Sequence, residues 1–375
     1  MSTAREGILV DRDLAAALGR AIRPVPDAPP VTRSQIQPAS LDLRLGPVAH
    51  RVRAGFLPAE TPIEDRLAEL ATSAVSLEGA GAVLERGLVY LLPLEEELAL
   101  DPDVHARFNP RSSTGRCDVF TRVLVPGHAR FDETPKGWSG KLWLEVAPLS
   151  FPVRVQRGDC LAQLRLQRGE AALTKDELLA QHVRTPLVYE GTRPLPPETL
   201  RAHEDGSIAL SIGLEGRDPC GWRAGRNTEV VRFAETGVHD PLDFFEPVRA
   251  RRGHCVLEPE RFTIFASRER LAIPADLAGE MLPIDVGIGE LRNNYAGFFD
   301  PGFGTGQDPP GTPAVLEVRA HDVPFLVEDG QVFFRLRFFR VLARPERLYG
   351  EGRSGPSYHA QDLTLARPFR SPRDP

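Results

Sequence analysis

The segment Arg111-Ser112-Ser113-Thr114-Gly115-Arg116 has the residue types of an anion-binding loop. Its two guanidinium groups offer forked hydrogen-bond donors that match phosphate oxygens, and the adjacent hydroxyl groups of Ser112 and Ser113 add short hydrogen bonds. Arginine and serine also cluster on many ordinary surface loops. Taken alone, the segment therefore leaves two interpretations open, a phosphate-binding loop and a solvated loop.

Glu145 is the second candidate, because it interrupts the alternating, strand-like stretch Leu142-Trp143-Leu144-Glu145-Val146. In a β-strand, Trp143 and Glu145 point to the same face. If that face is turned inward, burial raises the pKa of the carboxyl group and suits it to carry protons near neutral pH. The alternation is also typical of an outward-facing glutamate that pairs with a lysine or an arginine.

Three segments occur together in an order and spacing that narrow these alternatives. They are Pro38-Ala39-Ser40-Leu41-Asp42-Leu43-Arg44-Leu45-Gly46, the Arg111–Arg116 segment, and Gly137-Trp138-Ser139-Gly140 followed by the Leu144-Glu145 strand. The set resembles the dCTP deaminase family within the dUTPase-like superfamily, and the resemblance covers about residues 5–185. As a set, the motifs are more specific than any one of them.

The resemblance implies an enzyme that deaminates dCTP to dUTP and ammonia without zinc. Glu145 would activate water for attack on cytosine C4 and then protonate the leaving ammonia. Arg111, Ser112 and Ser113 would bind the triphosphate. The family binds its nucleotide as the magnesium complex, so Mg²⁺ is expected with the substrate and no metal is expected to act on the ring.

Further site residues are implied by the same resemblance. Arg116 would lie near the base and the catalytic carboxylate, and Arg130 would be another substrate-binding residue of the active site. Tyr358 and Gln361 belong to a segment similar to the family's C-terminal lid over the bound phosphates. The family's sites lie between the subunits of a trimer, so a homo-oligomer is expected, with a trimer favoured.

Two departures from the family pattern concern how the pyrimidine is recognised. Gly127-His128 stands where the family has Thr-Ala, and Glu133-Thr134-Pro135-Lys136 interrupts the family's direct run from Asp-Pro-Gly into the tryptophan motif. His128 is either a local replacement donor or a structural histidine.

The sequence lacks the motif of a zinc deaminase but leaves two other functions open. Zinc deaminases need a paired Pro-Cys-x-x-Cys motif, and Pro219-Cys220 has no second cysteine at that spacing. A dUTP pyrophosphatase, or a bifunctional enzyme that forms dUMP, shares the fold and the Arg-Ser-Ser segment. In the pyrophosphatase alternative, Asp300 would activate water. A deoxynucleotide-binding protein without activity is the remaining alternative.

Composition sets broad limits on location and partners. The chain has 375 residues with a formal net charge of −6, which favours neither nucleic-acid nor membrane-surface binding. No apolar run approaches the roughly 20 residues that span a bilayer. The four cysteines are isolated, and the N-terminus lacks the layout of a signal peptide. We therefore expect a cytoplasmic protein.

The elements that must position these residues are mostly strands. The 33 glycines and 35 prolines are spread along the chain, which indicates many short strands joined by turns. Alternation predicts strands at 142–146, 153–155 and 334–338. Helices are predicted from Asp11 through Ile22, after a capping box that starts at Thr61, and after a second capping box that starts at Thr174.

The sequence also repeats itself. Leu144-Glu145-Val146 recurs as Leu316-Glu317-Val318, 172 positions later, and Gly158 recurs as Gly330 at the same offset. A tandem duplication is therefore predicted, with domains at 1–185 and 186–375. The fold class is mainly β, with two dUTPase-like distorted, jelly-roll-like barrels and a few short helices. Ile284–Gly289 replaces the Arg-Ser-Ser segment in the second copy, so Glu317 is interpreted as a structural remnant.

Overall fold

The computed structural model describes residues 5–282, 291–293, 297–320, 322–351, 358 and 362–371. Gln361 and the Ile284–Gly289 segment lie outside these residues. The chain up to Arg168 forms β1 (Gly7–Ile8), α1 (Asp11–Ala17), β2 (Ile22–Pro24), β3 (Leu41–Leu43), β4 (Val48–Val52), α2 (Ile63–Leu70), β5 (Ala71–Ser76), β6 (Ala82–Leu84), β7 (Val89–Ala99), β8 (Val104–Pro110), α3 (Ser112–Arg116), β9 (Val119–Leu124), β10 (Ser139–Pro148), β11 (Val153–Val155) and β12 (Ala162–Arg168).

The rest of the described chain is also built mainly from strands. It forms α4 (Lys175–Arg184), β13 (Val188–Glu190), β14 (Arg193–Pro194), β15 (Ser207–Ser211), β16 (Gly221–Ala224), β17 (Val231–Arg232), β18 (Phe245–Val248), β19 (His254–Leu257), β20 (Phe262–Leu271), β21 (Leu277–Leu282), β22 (Leu291–Asn293), β23 (Phe298–Phe299), β24 (Thr312–Ala320), β25 (Phe325–Glu328) and β26 (Val332–Arg340). The predicted mainly-β class is confirmed. None of the described helices is long and apolar enough to cross a membrane.

Of the first and third predicted helices, the third is confirmed and the first is shorter than predicted. The capping box at Thr174 is confirmed, because Glu177 N donates to Thr174 Oγ1 and the Glu177 carboxylate accepts from Thr174 N at 2.9 Å. The first helix ends at Ala17 instead of continuing to Ile22, because Gly19 takes a left-handed φ of 75° and Ile22 opens β2.

The second helix begins one residue later than its predicted cap. Pro62, and not Thr61, is the N-cap of α2, and no side-chain hydrogen bond caps this end. Glu64 and Asp65 lie in the first turn, where the positive end of the helix dipole stabilises their charges.

The described residues divide into two compact units. Unit 1 comprises the chain up to Glu170 together with Thr228–His239 and Ala366–Arg370, and unit 2 comprises the remainder. These units differ from the predicted ranges 1–185 and 186–375. The difference includes α4, which belongs to unit 2: His182 on α4 accepts a hydrogen bond from Leu187 N and bonds to Leu195 O through its other ring nitrogen.

Unit 1 contains one main sheet and two smaller ones. The main sheet has the strand order β5-β4-β7-β10-β9, with β2 added at β7. In a second sheet, β12 pairs with β8 along its whole length, with β3 at its start and with β1 at its end. A third sheet has the order β6-β11-β17. The strands β9, β10 and β12 flank the motifs that were singled out in the sequence.

Unit 2 repeats the main sheet of unit 1 strand by strand. Its order is β18-β16-β20-β24-β22, with β13 and then β14 added at β20. Each of β16, β20, β22 and β24 lies about 172 positions after its counterpart in unit 1. A second unit 2 sheet has the order β15-β26-β21-β23. Hydrophobic side chains from these sheets, including Phe265, Leu316 and Phe334, form a shared core. The topology therefore agrees with a tandem duplication.

Turn geometry repeats at the same offset. Gly158 and Gly330 both have left-handed backbone conformations, with φ of 86° and 77°. Asp132 has a φ of 60°, and Gly304, 172 positions later, has a φ of 70°. A left-handed backbone costs free energy in any residue that carries a side chain. The turn at Asp132 thus keeps a conformation that the second copy gives to glycine.

Candidate active site

A row of side chains crosses the main sheet of unit 1 at Glu145. The strand register pairs Glu145 with Leu91 on β7 and with Arg122 on β9, and it pairs Leu91 with His50 on β4. Directly opposed residues in antiparallel strands share one face of the sheet. His50, Leu91, Glu145 and Arg122 therefore form one continuous row on the same face as Trp143.

The Glu145 carboxylate is buried on this face. The residue is 5% exposed, and desolvation raises the pKa of Glu145, an effect that Coulombic attraction to Arg122 partly offsets. The backbone of Gly55 approaches so closely that a Cβ atom built there would lie 2.1 Å from Glu145 Oε2. The alternative of an outward-facing glutamate is wrong for this strand.

Apolar side chains cover the face around Glu145. They come from the strands and from the segment that includes α2, and they comprise Val52, Ile63, Leu91, Leu124 and Trp143, with Phe56, Leu67, Leu70, Val89 and Phe131 packed against them. His50 stands next to this cluster, with its ring centroid 6.4 Å from that of Trp143, and burial lowers the pKa of His50. An apolar surrounding of this kind favours the uncharged form of each titratable group inside it.

Arg122 and Asp132 bring further charge to the Glu145 face. The Arg122 guanidinium carbon lies 4.6 Å from the ring centroids of both Phe120 and Phe131. Asp132 accepts a hydrogen bond from Val123 N at 2.7 Å, and desolvation raises the pKa of Asp132 to about 7. The charge of Glu145 contributes to that rise, while the charge of Arg122 opposes it.

The predicted anion-binding residues lie on α3. Arg111 is its N-cap, Ser112 and Ser113 form its first turn and are partly exposed, and Arg116, which is 4% exposed, ends it. A hydrogen bond from Thr114 Oγ1 to Leu161 O, 2.8 Å long, fixes this helix to the start of β12. We call residues 111–113 the arginine–serine turn.

Asp42 from the first sequence motif orients the arginine–serine turn. Its Oδ1 lies 3.2 Å from Arg111 Nε, and its Oδ2 accepts a hydrogen bond from Gln37 Nε2 at 3.1 Å. Gln35 Nε2 binds the Asp42 carbonyl oxygen and the buried Glu96 carboxylate, both at 2.9 Å. The Pro-Ala-Ser-Leu-Asp motif therefore acts as a rigid support for Arg111.

Arg130 and His128 both lie beside Glu133. Arg130 is 70% exposed and forms an ion pair with Glu133 at 2.6 Å, so this chain alone does not hold it in a buried site. His128 also faces Glu133, at 3.7 Å. Glu133 therefore faces both of these side chains, and it also forms an ion pair with Arg107 at 3.3 Å. Arg122 attracts the ionised form of Glu145 and so lowers the pKa of that carboxyl group. The position of Arg116 near the same carboxylate stays a prediction.

Three further residues considered in the sequence, Tyr358, Glu317 and Asp300, lie in unit 2. Tyr358 belongs to unit 2, where its backbone N–H donates to Tyr349 Oη at 3.3 Å. Glu317 is 4% exposed on β24 and is opposed by Ile264 on β20. Asp300, considered as an alternative water-activating group, is also buried in unit 2.

The described part of the chain has no cluster of potential metal ligands. There, no three His, Cys, Asp or Glu side chains come together in an arrangement that could hold a metal ion. The four cysteines are free thiols, and burial raises the pKa of Cys255 to about 12.

The sequence alone does not reveal the roles of Gly55, Arg122 and His50, or the raised pKa of Asp132. The pairing of Arg122 with Glu145 depends on a register between strands that are separated by a long connection, which a single sequence does not reveal. The one available signal was Asp132 itself, an acidic residue in the turn that leads to the Gly-Trp motif.

Comparison with known proteins connects this geometry to a family. The N-terminal domain of 2'-deoxycytidine 5'-triphosphate deaminase matches residues 5–170, and the C-terminal domain of the same family matches residues 174–369. A crystal structure of 2'-deoxycytidine 5'-triphosphate deaminase from Agrobacterium tumefaciens superimposes with a TM-score of 0.81 at 43% identity, covering 90% of this chain and 99% of that one.

Shorter relatives match part of the chain. A dCTP deaminase of Haloarcula marismortui is 32% identical over 35% of this chain and 65% of its own length. A dUMP-forming dCTP deaminase of Halobacterium salinarum is 28% identical over 53% of this chain and 90% of its own. With both family domains matched in order along its length, the chain is an enzyme of the dCTP deaminase family.

Proposed function

We propose that this protein catalyses the hydrolytic deamination of dCTP to dUTP and ammonia, with Glu145 as the group that activates water and without zinc. The observation that carries the proposal is the buried Glu145 carboxylate, whose pKa is raised by desolvation, in a chain of the dCTP deaminase family. A carboxyl group with a raised pKa can both accept and return a proton near neutral pH.

The proposed reaction needs one group that moves protons at cytosine C4. The Glu145 carboxylate accepts a proton from water as the oxygen adds to C4 and passes it to ring N3, which gives a neutral tetrahedral intermediate. Glu145 then takes the proton of the added hydroxyl and delivers it to the amino group, the C4–N bond breaks, and ammonia leaves. The C4 carbonyl of the uracil ring forms with N3 protonated and Glu145 again ionised, so atoms and charges balance.

The arginine–serine turn is proposed to bind the triphosphate. Arg111 is held by Asp42 yet is 24% exposed, so its guanidinium can still meet phosphate oxygens. Ser112 and Ser113 are partly exposed next to it. Mg²⁺ would arrive with the triphosphate, as part of the substrate. Arg116, Arg130, Tyr358 and Gln361 stay predictions as base-side and lid residues.

The assembly and location of the protein are also proposals. We expect a homo-oligomer, with a trimer favoured, in which copies of the chain share their sites. A cytoplasmic location without nucleic-acid or membrane partners stays a prediction from composition. Zinc independence is supported by the absence of a paired-cysteine motif after Pro219-Cys220 in the sequence.

A dUMP-forming reaction is the second candidate, because the Halobacterium salinarum relative carries that name. In that case the triphosphate would also be cleaved, and pyrophosphate would appear with ammonia. A protein that binds dCTP without turnover is the third, non-catalytic alternative.

The test is a product analysis with purified protein. The chain is incubated with dCTP, dCMP and CTP in the presence of Mg²⁺, and ammonia, dUTP, dUMP and pyrophosphate are quantified separately. The proposal expects ammonia and dUTP from dCTP in equal amounts, and an unchanged rate after treatment with a zinc chelator. dUMP with pyrophosphate identifies the bifunctional reaction, and binding of dCTP without ammonia identifies the non-catalytic alternative.

A further inference from the structure

Arg122 is placed to act on the carboxylate of Glu145 from the neighbouring strand. The two residues are directly opposed in the β9–β10 register, so their side chains leave the same face of the sheet. Cβ atoms of such cross-strand pairs are about 5 Å apart. A positive charge at this position attracts the ionised form of the carboxyl group.

The Arg122 side chain is held in place by two aromatic rings. Its guanidinium carbon lies 4.6 Å from the centroids of Phe120 and Phe131. Two such contacts fix a planar guanidinium and reduce its freedom to turn towards solvent. The charge next to Glu145 is therefore a fixed part of the site.

Other charged groups near Glu145 are few. β7 contributes the apolar Leu91, β4 contributes His50, whose pKa is lowered by burial, and the turn after β9 contributes Asp132. The segment around α2 approaches through Gly55 and through apolar side chains, while its acidic residues Glu64, Asp65 and Glu69 are exposed. Arg122 is the cation whose Coulombic attraction offsets the desolvation of Glu145.

We propose that Arg122 is a positioning residue that keeps Glu145 ionised for the activation of water. The resemblance to the family implies a place near the same carboxylate for Arg116. This inference rests on the proposed function of Glu145. It adds a cation from β9 that belongs to none of the three sequence motifs. The charge of Arg122 also lowers the pKa of Asp132, and so it opposes the repulsion between the two carboxyl groups.

The test is the pH dependence of kcat/KM for dCTP in the full chain. Arg122→Met keeps an unbranched stem between the rings but removes the charge. Loss of a nearby opposite charge shifts a carboxyl pKa upward by about 1 unit. Because ionised Glu145 is the active form, the acidic limb of the profile should move to higher pH by about 1 unit, with roughly tenfold lower kcat/KM on that limb.

Two further variants separate charge from shape. Arg122→Lys keeps the charge and should leave the acidic limb close to that of the wild type. Arg154→Leu, which removes an exposed strand arginine of unit 1, is the control for a general change in net charge. Melting temperatures are measured for every variant, and Arg122→Gln replaces Arg122→Met if the latter does not fold.

The outcomes discriminate between this inference and the proposed function. A shifted limb in Arg122→Met with an unshifted limb in Arg122→Lys supports the role of Arg122. An unshifted limb in the neutral variant, or an equal shift in the lysine variant, overturns it. If Glu145→Gln itself deaminates dCTP at the wild-type rate, the proposed function fails, whatever the Arg122 variants do.

Discussion

Glu145 and Glu317 occupy the same strand of two copies of one sheet, yet their surroundings differ. Both are buried, at 5% and 4% exposure, and both lie on the fourth strand of a five-stranded path. Glu145 is opposed by Arg122, whereas the residue 172 positions after Arg122 is Asn294. Asp132 is matched by Gly304, and Gly55 by Asn227.

The comparison shows that the second copy keeps the sheet but not the residue types that surround Glu145 in the first copy. Strand pairing depends on an apolar pattern that tolerates many substitutions, provided that the buried face stays hydrophobic. The charges that act on a carboxyl group depend on single residues in turns and on neighbouring strands. One copy could therefore lose them while it kept its fold.

The largest expected effect separates the two glutamates directly. Glu145→Gln should lower kcat for dCTP deamination by about 10²–10⁴-fold, because an amide cannot shuttle a proton. Glu317→Gln should leave kcat unchanged. Ammonia release measures both, and calorimetric titration with dCTP should show that both variants still bind. Wild-type turnover by Glu145→Gln would contradict the comparison.

The arginine–serine turn offers a second contrast between the copies, since the second copy has Ile284-Asp285-Val286 in place of the Arg-Ser-Ser segment. Arg111→Ala should raise KM roughly 10- to 100-fold, because a hydrogen bond to a charged group contributes about 1.5–3 kcal/mol. Its effect on kcat should be small, since the phosphate contact exists before the transition state. Arg249→Ala, at an exposed arginine of unit 2, is the control. Equal KM values would argue against phosphate binding at Arg111.

Gly55 tests whether close packing on Glu145 distinguishes the first copy. Gly55→Ala should displace the carboxylate, lower kcat and cost about 1–3 kcal/mol of stability through overpacking. The cost should shrink in a Glu145→Ala background, where the clashing atoms are gone. Gly279→Ala, where a Cβ atom would make ordinary contacts from 3.4 Å, is the matched control. Equal melting temperatures for Gly55→Ala and wild type would refute the contact.

The smallest expected effect concerns pH. Desolvation raises the pKa of Asp132 to about 7, so between pH about 4 and 7 the folded chain binds a proton that the unfolded chain has released. Stability should therefore fall as pH rises through this window, by on the order of 1–3 kcal/mol. Asp132→Asn should remove that decline in melting temperature.

Asp205 in unit 2 should make the protein more stable as pH rises, which is the opposite of the effect of Asp132. Burial alone would raise its pKa, but hydrogen bonds from Ser207 and Arg337 outweigh burial and lower the pKa of Asp205 to about 2. Its stabilisation is present above pH about 4 and is lost as pH falls towards 2. Asp205→Asn should change the melting profile only at the acid end. Identical profiles for the two variants would refute the assignment of Asp132.

Local sequence patterns predicted several of the strands and one of the helices. Alternation located β10, β11 and β26, and the Thr174–Glu177 box located α4, because these signals act over a few residues. The same approach extended the first helix through Gly19, where a left-handed turn ends it. Alternation also left the inward or outward direction of Glu145 open, since one strand does not show which face is covered.

By itself, the sequence determined the strand alternation, the repeat at 172 positions and the motif set that marks Glu145 and the arginine–serine turn. Only the tertiary structure decided that Glu145 is buried under Gly55 and opposed by Arg122, and that Arg130 is exposed beside Glu133. The physical reason is that burial and through-space charge are set by chain segments that are distant in sequence. Their strand register is fixed by the packing of the whole sheet.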